Sequence, residues 1–262
     1  MLGPGSLLLL LSCEKFLSSI TKATAMTSSL SSRLLPNLVL LDRDGVVNED
    51  VGSPGVVCKS QLELTEGAAK AIGRLQRSGC CRVALVTNQS CVGKKLLTQS
   101  GLDEIHGLLR EMLVQSDKDA LLDAIYACAS TKECNDPRMK PNPGMVMEAC
   151  RDFSPSTTTG ELSCVFVGDT LTDLQAAKAG GVPFRILVET GYGLDLMGGN
   201  LASVPPKLVT NTNIDDYGNK NKNESNTQLH ELRSVTPFIY AKNLEYAVAW
   251  LLNKEPLVEK QA

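Results

Sequence analysis

The sequence predicts an α/β fold in which a parallel sheet is covered by helices on both faces. Short apolar runs alternate along the chain with segments whose apolar residues recur at helical spacing, and several of the runs stop abruptly at polar residues. Parallel strands buried on both faces have this continuous apolar character, and helices connect them. With 262 residues, 43% of them hydrophobic, the chain is long enough to bury a core of that kind.

The predicted strands are short runs of apolar residues. The first ends at Asp42, the second closes on Thr87, and the fourth continues into Gly168 and Asp169. Runs of four to eight apolar residues with such boundaries are typical of buried strands. In chain order, the predicted strands cover residues 38–41, 82–86, 124–127, 164–167, 184–188 and 238–240.

The segments between these strands predict helices. Leu102, Ile105 and Leu109 belong to the clearest apolar stripe, which we expect to face the core. Pro143 is suited to the first turn of a helix, and Gly79 to the position just after one. The predicted helices cover residues 66–78, 102–113, 143–153, 173–179 and 244–251.

Charge and composition exclude several classes of protein. The 26 basic and 29 acidic side chains give a net charge of -3, which rules out a broadly cationic binder of nucleic acid or membrane surfaces. No apolar run approaches the roughly 18 residues of a membrane span. Nine cysteines without paired spacing indicate reduced thiols in a reducing compartment. We therefore expect a cytoplasmic protein with no membrane and no nucleic-acid partner.

The two ends of the chain differ from its middle. Residues 1–36 are rich in Ser, Thr and Leu and poor in acids, a composition that fits a transit peptide and a disordered leader equally well. A transit peptide would place the protein in a plastid or mitochondrion instead. Residues 37–255 are assigned to one domain and residues 256–262 to a tail. Within the domain, the polar segment 211–228 is expected to be a flexible insertion.

Four polar clusters follow predicted strands or precede a predicted helix. In an open parallel sheet, ligands bind outside the carboxyl ends of the strands, so we expect the four clusters to meet there. Two of them hold paired carboxylates, and like charges so close together need a cation between them. The clusters are residues 42–45, residues 87–90, Lys140, and residues 168–173.

This set of residues suits phosphoryl transfer. Carboxylates form a hard-oxygen site for Mg²⁺, which would screen Asp42 from an anionic phosphate as Asp42 attacks phosphorus. Asp44 would protonate the leaving alcohol and then deprotonate the attacking water. Thr87, the Asn88 backbone amide and Lys140 would hold the equatorial phosphate oxygens. The expected partner is a small phosphorylated metabolite.

Taken singly, each cluster also has a plain structural explanation. An Asp after a strand often serves in a turn or helix cap, and Asp173 would serve as the N-cap of its helix. Residues 87–90 alone indicate a loop, and a lone Lys140 indicates a surface charge. The occurrence of all four clusters in order, each tied to a strand end or a helix start, is what favours a functional site.

The same four segments resemble the motifs of the haloacid dehalogenase superfamily. The branch that they resemble most contains D-glycero-D-manno-heptose 1,7-bisphosphate 7-phosphatase and histidinol-phosphate phosphatase. The resemblance covers roughly residues 36–193 and implies a Rossmann-like, doubly wound, mostly parallel sheet without a large cap domain. It also implies Mg²⁺ dependence and an aspartyl-phosphate intermediate. The matching segments are residues 42–48, 87–90, 140–145 and 168–169.

The resemblance also implies a role for each carboxylate of the motifs. Asp42 would be the nucleophile and Asp44 the general acid and base. Mg²⁺ would be bound by the Asp42 carboxylate, the Asp44 backbone carbonyl and Asp169. Asp173 would orient a metal-bound water or Lys140 rather than bind the metal directly.

The expected substrate-binding residues lie in three segments. Asp50 and Gly52 match a loop of that branch which touches substrate, and Asn88, Gln89 and Ser90 offer donors suited to phosphate oxygens.

Arg138 lies in the third of these segments and is also expected to bind substrate. The branch typically carries a substrate-recognising arginine directly before the lysine of the third motif. Here Met139 occupies that position and Arg138 stands one place earlier, which leaves the identity of the substrate open.

A structural zinc is not expected. The branch often has a zinc-binding loop of the form Cys-x-His followed by Cys-x-Cys. This chain retains Cys128 and Cys134, but it lacks the histidine and has Asp136 in place of the last cysteine. Structural zinc sites use three or four nitrogen or sulfur ligands.

The sequence is also compatible with two other functions. One is a catalytically silent binding or regulatory module on the same fold, against which the intact Asp42, Asp44, Lys140 and Asp169 argue. The other is a polynucleotide 3′-phosphatase, which shares these motifs but for which the acidic chain shows no basic groove.

Overall fold

A computed structural model describes residues 36–79, 81–154, 163–217 and 225–252. Within these ranges, seven strands form a single sheet. Each predicted strand is present, several of them one or two residues longer than expected, and a short additional strand precedes the last one. The strands are β1 (Leu38–Leu41), β2 (Arg82–Asn88), β3 (Ala124–Cys128), β4 (Cys164–Gly168), β5 (Phe184–Val188), β6 (Lys207–Val209) and β7 (Phe238–Ala241).

The strand order explains where a ligand can bind. The order is β3-β2-β1-β4-β5-β7-β6, and neighbouring strands are parallel except for the antiparallel pair of β6 and β7. After β1 the chain adds β2 and β3 on one side of β1. It then crosses to the other side of β1 and adds β4 and β5. This reversal between β1 and β4 is a topological switch point, where the loops part and open a crevice.

Helices cover both faces of the sheet. They are α1 (Ala68–Arg77), α2 (Ser90–Gly93), α3 (Gln99–Ser116), α4 (Gly144–Asp152), α5 (Leu171–Ala179), α6 (Gly193–Leu196), α7 (Ser225–Val235) and α8 (Leu244–Leu251). The side chains of β1 alternate between the two faces. Val39 and Leu41 join one buried cluster, packed by α1, α3 and α8, while Leu38 and Leu40 join another, packed by α4 and α5.

These features confirm the predicted fold class. The sheet is mostly parallel, doubly wound and covered on both faces. In the described part of the chain, no insertion forms a separate domain over the carboxyl edge of the sheet. Among the same residues, no helix combines the length and the apolar character needed to span a bilayer.

The polar segment 211–228, which was expected to be a flexible insertion, lies partly among the described residues, and the expectation stays a prediction. Ile214–Tyr217 forms a 3-10 helix, and α7 begins at Ser225. Ile214 is fully buried and packs in a cluster with Val209 and Phe238, so one apolar side chain in a polar window fixes the chain here. Residues 218–224 lie outside the described residues. So do residues 1–35 of the expected leader 1–36 and the expected tail at 256–262.

Candidate active site

The crevice at the switch point holds a polar pocket of about 150 Å³. The four sequence clusters contribute to it, as expected from the positions of the strand ends. The pocket is lined by Asp42, Asp44, Asp50, Thr87, Asn88, Lys140, Asp169, Thr170, Thr172 and Tyr192. Of these, Thr170 and Thr172 lie in the fourth cluster but had been assigned no role, and Tyr192 was not predicted for the site.

Asp42 and Asp173 share one buried cation, Lys140. The Lys140 Nζ lies 2.8 Å from Asp42 Oδ1 and 2.6 Å from Asp173 Oδ1, and all three side chains are largely removed from solvent. Burial and the charge of Asp173 raise the pKa of Asp42 to about 7, although Lys140 opposes the shift. Burial disfavours the charge of Lys140, but the Asp173 and Asp42 carboxylates outweigh this effect and raise its pKa. Lys140 is thus no surface lysine; it compensates two buried acids.

The position of Lys140 is fixed by the end of β2. Its Nζ donates to the Val86 carbonyl at 2.9 Å. The Asn88 side chain holds the lysine's backbone from both sides: Lys140 N donates to Asn88 Oδ1, and Asn88 Nδ2 donates to Lys140 O, each at 3.0 Å. The Asn88 side chain therefore positions Lys140, and β2 extends through Thr87 and Asn88 instead of ending in a loop at residue 87.

Asp173 is not the N-cap of its helix. Helix α5 begins at Leu171, two residues earlier than predicted, and Thr170 is the N-cap. The Asp173 carboxylate completes a capping box by accepting from Thr170 N at 3.0 Å and from Thr170 Oγ1 at 2.6 Å. The other oxygen of Asp173 forms an ion pair with Lys140, and the expected orienting role of Asp173 stays a prediction.

Asp169, at the end of β4, has one oxygen without a protein partner. Oδ2 accepts from Tyr192 N at 2.9 Å, whereas the buried Oδ1 has no hydrogen-bond partner among the described residues. Burial and the charges of Asp173 and Asp42 raise the pKa of Asp169 to about 9. Carboxylate oxygens of Asp42, Asp169 and Asp173 lie within 4.8 Å of one another. A buried acid of this kind is costly unless it is neutral or meets a cation, so the donor set fits a divalent metal ion.

Asp44 is held by three neighbouring side chains. The Arg43 guanidinium donates to both carboxylate oxygens, at 2.9 and 3.0 Å, Asn48 Nδ2 donates at 3.0 Å and Gln89 Nε2 at 2.9 Å. Burial would raise the pKa of Asp44, but the charge of Arg43 and these hydrogen bonds lower it below its usual value. Arg43 is itself fully buried and lies 3.3 Å from His106 Nε2. The network fixes an ionised carboxylate at the pocket.

Only some of the predicted substrate-binding residues reach the pocket. Asp50 lines it, and Gly52 N donates to Asp50 Oδ1 at 3.2 Å. Gln89 is buried behind Asp44, and Ser90 begins helix α2.

Arg138 is engaged away from the pocket. Its Nε donates to the Glu148 carboxylate on α4 at 2.9 and 3.1 Å, and its Nη1 donates to the Ala127 carbonyl at 3.0 Å. The structure thus gives Arg138 a role in tying α4 to β3.

The cysteine-containing loop is held by hydrogen bonds of its own. Cys128 is buried at the end of β3, whereas Cys134 is exposed. Asp136 accepts from Ser130 Oγ at 2.5 Å and from Arg138 N at 2.8 Å, so its carboxylate stabilises the loop turn. The expectation of no structural zinc stays a prediction.

The loop after β5 packs tightly against Asp169. We therefore expect Gly191→Ala to lower the free energy of unfolding. Gly191 has φ +62, and a Cβ there would overlap Asp169 Oδ2. Left-handed backbone alone costs a non-glycine residue about 1–2 kcal/mol, and overpacking adds about 1–3 kcal/mol.

Gly181→Ala is the matched control, because Gly181 has φ +77 but open space at its Cβ position. Urea denaturation should show a larger loss of unfolding free energy for Gly191→Ala than for Gly181→Ala. Equal losses would mean that the residue 191 backbone does not press on Asp169.

Comparison with known proteins agrees with this geometry. The model of the haloacid dehalogenase-like hydrolase family matches residues 34–181. The chain belongs to this family. The resemblance inferred from the four motifs is confirmed, and so is the expected class of enzyme, a phosphoric monoester hydrolase.

Several relatives of this haloacid dehalogenase-like hydrolase are named D-glycero-beta-D-manno-heptose-1,7-bisphosphate 7-phosphatase. The protein from Neisseria meningitidis is 36% identical over 60% of this chain and 79% of its own length. That from Vibrio cholerae is 36% identical over 63% of this chain and 88% of its own. The crystal structure of D,D-heptose 1,7-bisphosphate phosphatase from B. bronchiseptica, complexed with magnesium and phosphate, is 33% identical. It has a TM-score of 0.55 and covers 61% of this chain and 84% of its own.

Proposed function

We propose that this protein is a Mg²⁺-dependent phosphatase that hydrolyses a small phosphomonoester, a sugar phosphate or bisphosphate, through an aspartyl phosphate on Asp42. The observation that carries the proposal is the buried Asp169 Oδ1, which has no hydrogen-bond partner in the described part of the chain. It lies close to the Asp42 carboxylate, with Lys140 beside Asp42. The names of the relatives, and the magnesium and phosphate in one of the similar structures, support the proposed phosphatase activity.

The residues that would hold the metal are Asp42, Asp169 and the backbone carbonyl of Asp44. When bound, Mg²⁺ supplies positive charge that screens the acids from an anionic substrate and stabilises charge on the transferring phosphoryl group. Asp173 stays outside this set because Lys140 and Thr170 occupy its oxygens.

In the first step, a carboxylate oxygen of Asp42 attacks phosphorus, and the bond between phosphorus and the ester oxygen breaks. Asp44 acts here in its protonated form, which is the minor form in the free protein because the pKa of Asp44 is lowered, and gives its proton to the departing alkoxide, so that an alcohol leaves. Lys140 is close enough to Asp42 to stabilise negative charge on the phosphoryl oxygens, and Thr87 offers a hydroxyl at the same wall.

In the second step, Asp44 removes a proton from water, and the resulting hydroxide attacks phosphorus. The bond between phosphorus and Asp42 breaks, which releases inorganic phosphate and restores both carboxyl groups. The lowered pKa of Asp44, held by Arg43, Asn48 and Gln89, keeps it in the ionised state that this step requires.

Metal binding is tested by a readout that does not depend on activity. We expect Mg²⁺ to raise the melting temperature of the wild-type protein, since ligand at about 100 times its Kd stabilises by about 2.7 kcal/mol. Asp169→Asn should abolish this rise, because the amide no longer offers an anionic oxygen to the ion. Asp103→Asn, on the exposed surface of α3, is the matched control and should retain it. A full Mg²⁺ response in Asp169→Asn would contradict the assignment.

The activity is tested by phosphate release from sugar phosphates, sugar bisphosphates, histidinol phosphate and a generic aryl phosphate. We expect release that stops on chelation and returns with Mg²⁺. If no ester is hydrolysed under these conditions, the protein is a silent module on the same fold and the proposal is wrong.

A further inference from the structure

The exposure of the residues that line the pocket increases from its floor to its rim. Asp42, Lys140 and Asp169 are 8%, 4% and 1% exposed, whereas Tyr192 is 49% exposed. Asp50 is half-buried and lines the same pocket. The transferred phosphate therefore belongs at the floor, and the leaving alcohol meets Asp50 and Tyr192 at the rim.

Asp50 and Tyr192 form a pair that joins two loops. Asp50 lies in the loop after β1 and Tyr192 in the loop after β5. Both side chains line the pocket, and the charge of Asp50 raises the pKa of Tyr192. The rim thus presents a carboxylate and an aromatic ring, which suit the hydroxyl groups and the C–H face of a polyol or sugar.

The charge balance of the pocket disfavours a second phosphate. Among the described residues that line it, four are carboxylates, Asp42, Asp44, Asp50 and Asp169, and one is a cation, Lys140. Lys140 is already shared by Asp42 and Asp173 at the floor. Even with a divalent ion bound, the ionised pocket keeps a net negative charge, and Asp50 at the rim would repel a further anion.

The expected anion-recognising arginine does not alter this balance. Arg138 is neutralised by Glu148 through two hydrogen bonds and donates a third to the Ala127 carbonyl. Turning it towards a substrate would leave Glu148 without its partner and break the link between α4 and β3.

We propose that the leaving alcohol is an uncharged, hydroxyl-bearing molecule, and that the enzyme prefers its monophosphate to the corresponding bisphosphate. This inference rests on the proposed phosphatase function. Asp50 accepts hydrogen bonds from hydroxyl groups of the alcohol, the Tyr192 ring packs on its carbon face, and the Thr172 hydroxyl completes the rim.

The test compares kcat/KM for monophosphates and matching bisphosphates of a pentulose, a hexose and a heptulose, with p-nitrophenyl phosphate as a generic ester. We expect at least one monophosphate to exceed its bisphosphate by about tenfold or more, a difference of about 1.4 kcal/mol in transition-state binding. If no monophosphate exceeds its partner, the proposal is overturned. Absence of release from p-nitrophenyl phosphate as well would refute the phosphatase function itself.

Variants separate rim recognition from a general loss of activity. Tyr192→Lys places a cation at the rim, and Asp50→Asn removes an anion, so each should shift the preference towards the bisphosphate, chiefly through a lower KM for it. Glu111→Gln, exposed on α3, should leave the preference unchanged. If Arg138→Gln selectively lowers kcat/KM for bisphosphates, Arg138 recognises the second phosphate and the proposal is wrong.

Discussion

Asp42→Asn is expected to lower phosphate release by about 10³-fold or more, because an amide cannot form the acyl phosphate. The folded state should tolerate the change. Asp42 shares Lys140 with Asp173, and its raised pKa reflects burial and like-charge repulsion, so removal of its charge relieves part of that repulsion. We expect the free energy of unfolding to stay within about 1 kcal/mol of the wild-type value.

Two measurements on Asp42→Asn distinguish a loss of catalysis from a loss of folding. Phosphate release is measured with excess Mg²⁺, and the unfolding free energy is measured by urea denaturation. Retained stability with lost activity supports the nucleophile assignment. Turnover near the wild-type rate would show that another group attacks phosphorus.

Lys140→Met is expected to have the largest effect on stability. It leaves the buried carboxylates of Asp42 and Asp173 facing each other without their shared cation. Breaking a buried ion pair from one side typically costs about 3–5 kcal/mol, because the remaining charge stays buried and uncompensated. Urea denaturation in metal-free buffer measures this loss. Lys118→Met, at an exposed position after α3, should change stability by less than about 0.5 kcal/mol.

A second substitution shows whether the loss comes from the buried charge. Asp173→Asn added to Lys140→Met removes one of the two uncompensated carboxylates, so it should recover part of the lost stability. Activity should stay low, because no cation then faces the phosphoryl oxygens. If the double variant is less stable than Lys140→Met alone, the interaction of Lys140 with Asp173 is not the main source of the effect.

The positions of the motif residues could be predicted from the sequence because strand ends are well marked in it. The run that ends at Asp42 and the run that ends at Gly168 become β1 and β4, which are neighbours in the sheet. Parallel strands bring their carboxyl ends to one edge, so Asp42 and Asp169 meet without any knowledge of the loops. Lys140 reaches the same edge because it lies in the connection between the carboxyl end of β3 and the start of α4.

The partners of individual side chains could not be predicted in the same way. Arg138 and Gln89 were expected at the substrate, but Glu148 and Asp44 hold them. Which carboxylate an arginine or amide meets depends on packing between elements that are distant in sequence. Tyr192 was missed because it acts on Asp169 through its backbone amide, which no residue type reveals. The only available signal was its position in a glycine-flanked turn directly after β5.

The family match ends earlier in the chain than the residues that form the site, and this limits how far the protein can be shortened. The match stops at residue 181, before β5 begins, yet Thr190 donates to the Gly45 carbonyl and Tyr192 holds Asp169. A fragment limited to the shared segment would retain every motif residue and still lack one side of the crevice. The minimal working unit therefore extends beyond the region by which the family is recognised. Because β7 pairs with β5 and α8 packs on the cluster that contains Val39 and Leu41, truncation from the C-terminal side should also spare these two elements.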